Sequence, residues 1–439
     1  MRNLLLLYLF ILCCISCNAQ QDMTLRDCME YALKHSTKME LQDTENADAR
    51  IARRDAILKA FTPSVSGGTY VSMNFGRSVD PETNTYISTS SFNNGYSVSG
   101  SITLFNGFSA VNNIRIAKTA VKMGVTQEQQ LKDEICLAVM EAYCNVIYSS
   151  EMMEVIQGQV ETAKENLLLA QWQEELGQKS YADVVQLEAD LADREYQLIT
   201  LTNRYNEAMM MLKDLMMWEE QTCLTIQVTH NFQIFLQDSI IETTQHPAII
   251  LAEYKMRNAQ LDLNSAHWRF APSLSVSGGW STGLYTYPGM KDYVAMPFGS
   301  QFVNNSGEYV QLSLSIPIYD GLSRYSNIAR KKNAYRRAEA EYRQTLHEVA
   351  TEIERAKQDR EGALVVLRQA ERRERVQKEA YNINVKKFEQ GLISPIELKT
   401  SSDNYLNAQA EYLNASLKCF IKTCVVNYYN GVSYINQLK

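Results

Sequence analysis

The two halves of this 439-residue chain repeat the same short segments in the same order. Three pairs of segments match: Phe61–Ser66 with Phe270–Ser275, Ile102–Gly107 with Ile316–Gly321, and Gly177-x-x-Ser180 with Gly391-x-x-Ser394. Each half therefore predicts a helix, a strand, a loop, a strand, a very long helix, a tight turn and a second helix. A repeat period near half the chain excludes a solenoid of short repeats, and duplication of one unit explains it simply.

The predicted element boundaries follow this duplicated order. The first repeat, residues 20–231, contains an opening helix, strands at about 64–76 and 95–105, and long helices at about 108–175 and 181–215. The second repeat, residues 232–439, contains a helix, strands at about 273–285 and 308–318, and long helices at about 322–390 and 395–430.

Alternation of apolar and hydroxyl side chains marks the four strands. From Tyr96 to Leu104 the even positions are apolar or Gly, and the odd positions are Ser or Thr. A period of two places these sets on opposite faces of a sheet. The simplest alternative is a soluble two-layer sheet with one wet face.

Three properties of the strands favour a membrane sheet over that alternative. Each run is about 10 residues long, which is the length of a tilted transmembrane strand. The polar face is almost wholly Ser, Thr and Gly, whereas solvated sheets usually carry Lys, Glu and Arg. Aromatic residues gather near the strand ends, as interfacial girdles do: Phe75, Tyr96, Phe105, Trp280, Tyr285, Tyr309 and Tyr319.

Four strands cannot close a barrel, and an open sheet edge in lipid leaves backbone groups unpaired at a cost of several kcal/mol each. The chain must therefore combine its strands with those of other copies. Two copies give an eight-stranded barrel with a nearly filled interior, and three give a twelve-stranded barrel with room for a lumen. The small Ser and Gly side chains of the polar face favour an open pore and hence a trimer.

The long helices predict coiled-coil hairpins. Between about 108 and 175 there is no Pro, and Gly occurs only at Gly124 and Gly158. Such a helix spans on the order of 100 Å at 1.5 Å per residue. Apolar residues spaced by three and four form the seams of an antiparallel hairpin. The remaining charged faces, including Arg330–Lys332, are interpreted as solvated surfaces.

The N-terminal sequence predicts an export signal. Arg2 precedes the apolar run Leu4–Cys17, which is shorter than the ~20 residues that a spanning helix needs. The small residues that follow predict a signal peptide at 1–19 with cleavage after Ala19. A lipoprotein signal, leaving a lipidated Cys17 as the mature start, is the alternative.

Catalytic and metal-binding patterns are missing from the sequence. There is no phosphate-binding Gly-rich loop, nucleophile elbow or HExxH motif, and the five His have no ligand spacing. The nearly balanced 43 Lys and Arg against 50 Asp and Glu form no basic face along the sequence, which argues against nucleic acid as a partner. Cysteines without a CxxC pair are interpreted as small buried hydrophobes. We therefore expect neither an enzyme nor a cofactor site.

Several segments resemble the TolC-like outer-membrane efflux protein family. These are the opening helix Leu25-x-x-Cys28-x-x-Tyr31, the strand entry Phe270-x-Pro272-Ser273, the strand exit Ile316–Gly321 and the helix tip Gly391-x-x-Ser394-x-x-Glu397-Leu398. The loop at 74–84 resembles members from Bacteroides-type bacteria. The resemblance covers nearly all of the mature chain, and only the segment from about Trp218 to Gln245 matches loosely.

The resemblance implies a homotrimer with a twelve-stranded β-barrel in the outer membrane and a helical barrel in the periplasm. It implies docking to a periplasmic adaptor (membrane fusion) protein that links the channel to an inner-membrane pump of RND or ABC type. The chain would then be a passive conduit for tripartite efflux or type I secretion. A secreted coiled-coil envelope scaffold without a pore is the alternative function.

The resemblance also implies functional residues at the periplasmic tip, where the family closes its tunnel with acidic side chains. The matching positions here are Asp183 and Glu397, but Gln186 and Thr400 stand where relatives often carry a second acid.

The same tip residues have a structural alternative. Ser394-Pro395-Ile396-Glu397 is a capping box with Pro at the first helical position, and Ser180–Asp183 has the same form. Both carboxylates could therefore serve only to start their helices. Gly177 and Gly391 are predicted to form the hairpin turns, and by analogy these turns, with Ser180, Ser394 and Pro395, would dock the adaptor.

Overall fold

The computed structural model describes residues 21–79, 84–218, 224–227, 246–288, 290, 294 and 296–438. The predicted signal segment at 1–19, including Cys17, lies outside the described residues. The chain is mostly helical with a small antiparallel sheet. It divides into two compact units, which we call the helical unit (residues 1–44, 126–250 and 344–439) and the sheet unit (residues 45–125 and 251–343).

The described helices and strands are bounded as follows. The helices are α1 (Leu25–His35), α2 (Thr37–Phe61), α3 (Ser109–Glu175), α4 (Tyr181–Met216), α5 (Pro247–Trp268), α6 (Phe298–Asn304), α7 (Ser323–Glu389) and α8 (Pro395–Tyr429). The strands are β1 (Gln21–Met23), β2 (Ser64–Asn74), β3 (Arg77–Val79), β4 (Tyr86–Ser88), β5 (Ser91–Asn106), β6 (Leu224–Ile226), β7 (Ser273–Thr286) and β8 (Gly307–Ser315). The four long helices begin and end within about one residue of the expected positions.

A four-stranded antiparallel sheet with the order β2-β5-β7-β8 lies in the sheet unit. Its register sorts the alternating residues onto two faces, as their period of two requires. One row of paired residues on the apolar face is Val65, Gly100, Gly278 and Val310, and the adjacent row on the hydroxyl face is Ser64, Ser101, Ser277 and Gln311.

Two strand ends differ from the expected ones by three or more residues. β5 begins at Ser91 instead of about 95, because its first residues pair with the far end of β2. β8 ends at Ser315 instead of about 318, and Pro317 lies just beyond it. Proline has no N–H to donate to a strand ladder, so strand pairing stops before Pro317. The alternation of apolar and polar residues continues beyond that point and made the predicted strand too long.

The outer strands β2 and β8 are the edges of this sheet. Within the described part of the chain, each pairs along one side only, with β5 and β7 respectively. Their apolar side chains are exposed: Val65 by 69% and Val310 by 87%. In the described part of the chain, two strand edges are therefore uncovered, and both strands carry exposed apolar side chains.

The loop between β7 and β8 contains a helix that the sequence did not predict. Phe302 of α6 packs edge-to-face on Tyr96, with ring centroids 5.7 Å apart. The buried Gln301 accepts a hydrogen bond from the Tyr285 N–H at 3.0 Å and donates one to the Tyr285 carbonyl at 3.1 Å. The structure also contains a short antiparallel pair, β3–β4, that the sequence did not predict.

Both strand-to-helix exits use two consecutive residues with positive φ. The φ angles are +65° and +58° at Gly107 and Phe108, and +65° and +62° at Gly321 and Leu322. The preceding side chains cap the helices: Asn106 Oδ1 accepts from the Ala110 N–H at 3.2 Å, and Asp320 Oδ2 accepts from the Arg324 N–H at 3.1 Å.

The core of the helical unit joins α1, the middle of α3, the end of α4 and α8. All five cysteines described outside the predicted signal are buried and unpaired, as expected of small hydrophobes: Cys28, Cys136, Cys144, Cys419 and Cys424. Burial raises the pKa of the Cys28 thiol to about 12, so this thiol is inert at neutral pH. Throughout the described ranges, no helix combines the length and apolarity of a membrane-spanning helix.

Candidate functional site at the helical tip

The turn between α3 and α4 ends its helix with a left-handed glycine. Gly177 has φ +71°, its N–H donates to the Glu174 carbonyl at 2.8 Å, and the Gln178 N–H donates to the Gln173 carbonyl at 2.7 Å. This pair of bonds is the Schellman motif, which favours Gly because a side chain is strained at positive φ.

The turn between α7 and α8 repeats this geometry. Gly391 has φ +72°, its N–H donates to the Phe388 carbonyl at 2.9 Å, and the Leu392 N–H donates to the Lys387 carbonyl at 2.9 Å. Both glycines therefore occupy the turn positions that the sequence predicted.

Capping boxes start the helix that follows each turn. The Asp183 N–H donates to Ser180 Oγ at 3.3 Å, and the Ser180 N–H donates to Asp183 Oδ2 at 3.2 Å. In α8 the Glu397 N–H donates to Ser394 Oγ at 3.4 Å, and the Ser394 N–H donates to Glu397 Oε2 at 3.0 Å. Pro395 occupies the first helical position and is buried. Both carboxylates thus have the capping role that the structural alternative assigns to them.

A small apolar cluster holds the two turns against each other. It consists of Ala170, Val184, Leu187, Phe388 and Leu398. Across it, Lys179 Nζ of the first turn lies 4.0 Å from the centroid of the Phe388 ring of the second. Burial lowers the pKa of Lys179, and the charge of Asp183 opposes this shift.

The structure brings the two candidate carboxylates to one place. Asp183 and Glu397 line the same open depression, together with Lys179, Phe388 and Pro395. Asp183 is half-buried and Glu397 is exposed. Thr400, which stands where relatives often carry a second acid, donates its hydroxyl to the Ile396 carbonyl at 2.8 Å. Glu389 also lines the depression, which therefore presents three carboxylates and one ammonium group.

A cluster of ion pairs lies between α4 and α8 near the tip, and the sequence did not predict it. Arg194 of α4 is 1% exposed, and its Nη2 lies 2.5 Å from Asp403 Oδ1 of α8 and 3.5 Å from Asp190 Oδ1. Nη2 makes these contacts without a hydrogen-bond geometry, so they are ion pairs. Lys399 Nζ lies 2.5 Å from Asp193 Oδ2 and 3.5 Å from Asp190 Oδ1.

The charges of this cluster stabilise one another. The hydrogen bond from Lys399 lowers the pKa of Asp193, and the same bond raises the pKa of Lys399. A sequence signal for the cluster existed, because the three-and-four spacing through Leu191 and Leu198 also passes through Arg194. A charged residue at a seam position predicts a buried partner on a facing helix.

The sequence of this chain matches a known protein family over most of its length. The family model described as outer membrane efflux protein matches residues 41–216 and 243–420. The chain belongs to the outer membrane efflux protein family. No curated protein matches the chain.

Three solved structures show the fold of this family member at low identity. The outer membrane protein VceC of Vibrio cholerae is 14% identical, with a TM-score of 0.77 over 93% of this chain and 96% of that one. The MtrE outer membrane channel of Neisseria gonorrhoeae, solved in its open state, is 16% identical, with a TM-score of 0.75 over 94% and 89%. The CmeC outer membrane channel of Campylobacter jejuni is 17% identical, with a TM-score of 0.73 over 94% and 85%.

Proposed function

We propose that this efflux-family protein is the outer-membrane channel of a tripartite efflux or type I secretion system. It works as a homotrimeric, passive conduit that carries small molecules or proteins from an inner-membrane pump of RND or ABC type across the periplasm and outer membrane. Its four strands contribute to a twelve-stranded barrel in outer-membrane lipid, and its helical hairpins form a periplasmic barrel.

The two uncovered sheet edges carry this proposal. Because four antiparallel strands alternate in direction, β2 and β8 run oppositely, and β8 of one copy can pair with β2 of the next in the same antiparallel sense. Such a head-to-tail contact closes into a ring when the rotation between copies allows it. Closure removes every edge, which a sheet in lipid requires.

The tip supports docking of a periplasmic adaptor protein. Leu176 and Leu392 lie beside Gly177 and Gly391 in the two turns, and their side chains are 73% and 68% exposed. Exposed apolar side chains at a turn are typical of protein–protein contact sites. The polar residues Ser180 and Ser394 follow them in the two turns.

The pore is tested by reconstitution with a matched pair of strand variants. We expect wild-type trimers to give discrete conductance steps in planar bilayers. Leu312→Arg should prevent assembly in the outer membrane, because a cation on the lipid-facing side of a barrel strand costs about 2–4 kcal/mol. Gln311→Arg, one residue away on the hydroxyl face, should still assemble.

Silent, well-folded trimers would count against the channel, as would equal effects of the two variants. A monomer that stays soluble without detergent would favour the scaffold alternative instead.

The charge of the tip is tested separately from its capping role. Asp183→Asn with Glu397→Gln keeps an oxygen that accepts from the N-cap N–H, so we expect altered cation block or leak with unchanged amide exchange at the tip. Ser180→Ala with Ser394→Ala removes the caps, each worth about 1 kcal/mol, and should accelerate that exchange about fivefold. Unchanged block and leak in the first variant would show that the carboxylates only cap their helices.

A further inference from the structure

The sheet unit carries a net positive charge because it contains few acidic residues. Residues 45–125 and 251–343 hold 19 of the 43 Lys and Arg of the chain but only 12 of its 50 Asp and Glu. Neither 107–125 nor 321–338 contains an acidic residue. No basic face is visible along the sequence, because these cations are divided among four segments that lie far apart along the chain.

The fold brings the four segments together. α2 and α5 lead into β2 and β7, whereas α3 and α7 follow β5 and β8. Because the strands alternate in direction, all four strand–helix junctions lie at one end of the sheet. The pairing of Asn106 with Ser273, and of Ser273 with Ser315, places three of these junctions side by side.

Exposed aromatic rings surround this end of the sheet. We call them the junction belt: Phe61, Phe108, Trp268, Phe270, Tyr319 and Tyr325, each between 39% and 79% exposed. Phe108 packs on Trp268 with centroids 4.9 Å apart, and Phe270 packs on Tyr325 at 5.1 Å. Trp and Tyr rings concentrate at the level of lipid head groups, so the belt marks a membrane boundary.

Exposed cations follow the junction belt on the helices. We call six of them the basic collar: Lys59, Arg115, Lys118, Arg269, Arg330 and Lys332, all exposed. At 1.5 Å per residue, Arg330 and Lys332 lie about 10–14 Å along α7 from its first residue. This distance is within the reach of a long basic side chain plus one Debye length at physiological salt.

We propose that the basic collar binds the phosphates of anionic phospholipids in the leaflet that adjoins the helices. The inference rests on the proposed function, since it requires the sheet to lie in a bilayer. An aromatic ring at head-group level followed by clustered Lys and Arg is the arrangement that recruits anionic lipid. The collar would fix the depth of the sheet in the membrane by binding at one side of it.

The experiment measures phosphatidylglycerol bound to the full-length trimer. Wild-type protein is inserted into nanodiscs of phosphatidylethanolamine with one quarter phosphatidylglycerol, and co-purified lipid is quantified by native mass spectrometry. The collar variant is Lys118→Gln, Arg330→Gln and Lys332→Gln. The matched control removes three exposed cations of α7 in the helical unit: Arg372→Gln, Lys378→Gln and Lys386→Gln.

We expect phosphatidylglycerol to be enriched around the wild type and the control, and the enrichment to fall at least fivefold in the collar variant. High salt should reduce wild-type enrichment in the same way. Equal enrichment in all three proteins, or none in inserted wild type, would overturn the collar. Insertion is scored independently by conductance in phosphatidylethanolamine alone: a protein that does not insert refutes both proposals, whereas one that inserts without lipid preference refutes the collar only.

Discussion

Arg194→Met is expected to lower the free energy of unfolding by about 3 kcal/mol. Removing one partner of a buried ion pair typically costs 3–5 kcal/mol, because the other charge is left without compensation. We expect the low end of that range, because the Asp403 side chain is 40% exposed and Lys399 stays near Asp190. Met keeps most of the apolar volume of the Arg side chain, so the loss of unfolding free energy is due to the missing charge.

The measurement is hydrogen exchange of the backbone amides where α4 packs on α8, in detergent-solubilised protein. The denaturant midpoint of unfolding is measured on the same samples. Arg204→Met, an exposed position of the same helix, is the matched control and should change stability by no more than about 0.5 kcal/mol. A double variant, Arg194→Met with Asp403→Leu, should recover part of the loss because no unpaired charge remains there. Similar losses in Arg194→Met and Arg204→Met would show that the ion pairs contribute nothing.

Gly107→Ala is expected to be the most damaging single change at the strand–helix junctions. A Cβ at Gly107 would lie 2.3 Å from the Trp268 carbonyl oxygen, and a backbone atom cannot move aside as a flexible side chain can. The residue also has φ +65°, which costs about 1–2 kcal/mol for an L-residue with a side chain. We expect a total loss above about 3 kcal/mol. It is measured as the yield of the proposed trimer after heating and as the exchange of the Asn106 and Ser273 amides.

Gly321→Ala provides the matched control, because this glycine has the same φ but, among the described residues other than its two chain neighbours, no atom lies within 4 Å of the added Cβ. It should show only the conformational cost of about 1–2 kcal/mol. Equal losses at the two positions would mean that α5 moves away from the junction easily.

The regular elements of this protein could be predicted because their periods are local properties. The two-residue alternation gives the faces of β2, β5, β7 and β8, and uninterrupted three-and-four spacing gives the 67-residue helices α3 and α7. The tip turns could be predicted equally well. A Gly followed by Ser-x-x-acid indicates a helix that ends at a left-handed glycine and a next helix that begins with a capping box.

Features that depend on distant contacts could not be predicted in this way. α6 forms where Gln301 satisfies the backbone of β7, and nothing in the loop sequence indicates that partner. Arg194 was recognisable as unusual in its seam, but Asp403 lies on another helix. The basic collar could not be predicted either, because its residues come together only when the chain folds.

The uncovered edges of β2 and β8 have a consequence for biogenesis. In the proposed trimer, each newly made chain would expose two unpaired strand edges, and these edges can pair with a misfolded neighbour as readily as with a correct one. Closure of the proposed barrel would therefore compete with aggregation, and its yield would depend on the concentration of newly made chains, as for any obligate oligomer. Slow secretion should therefore reduce the yield of native assemblies more steeply than the amount of chain delivered.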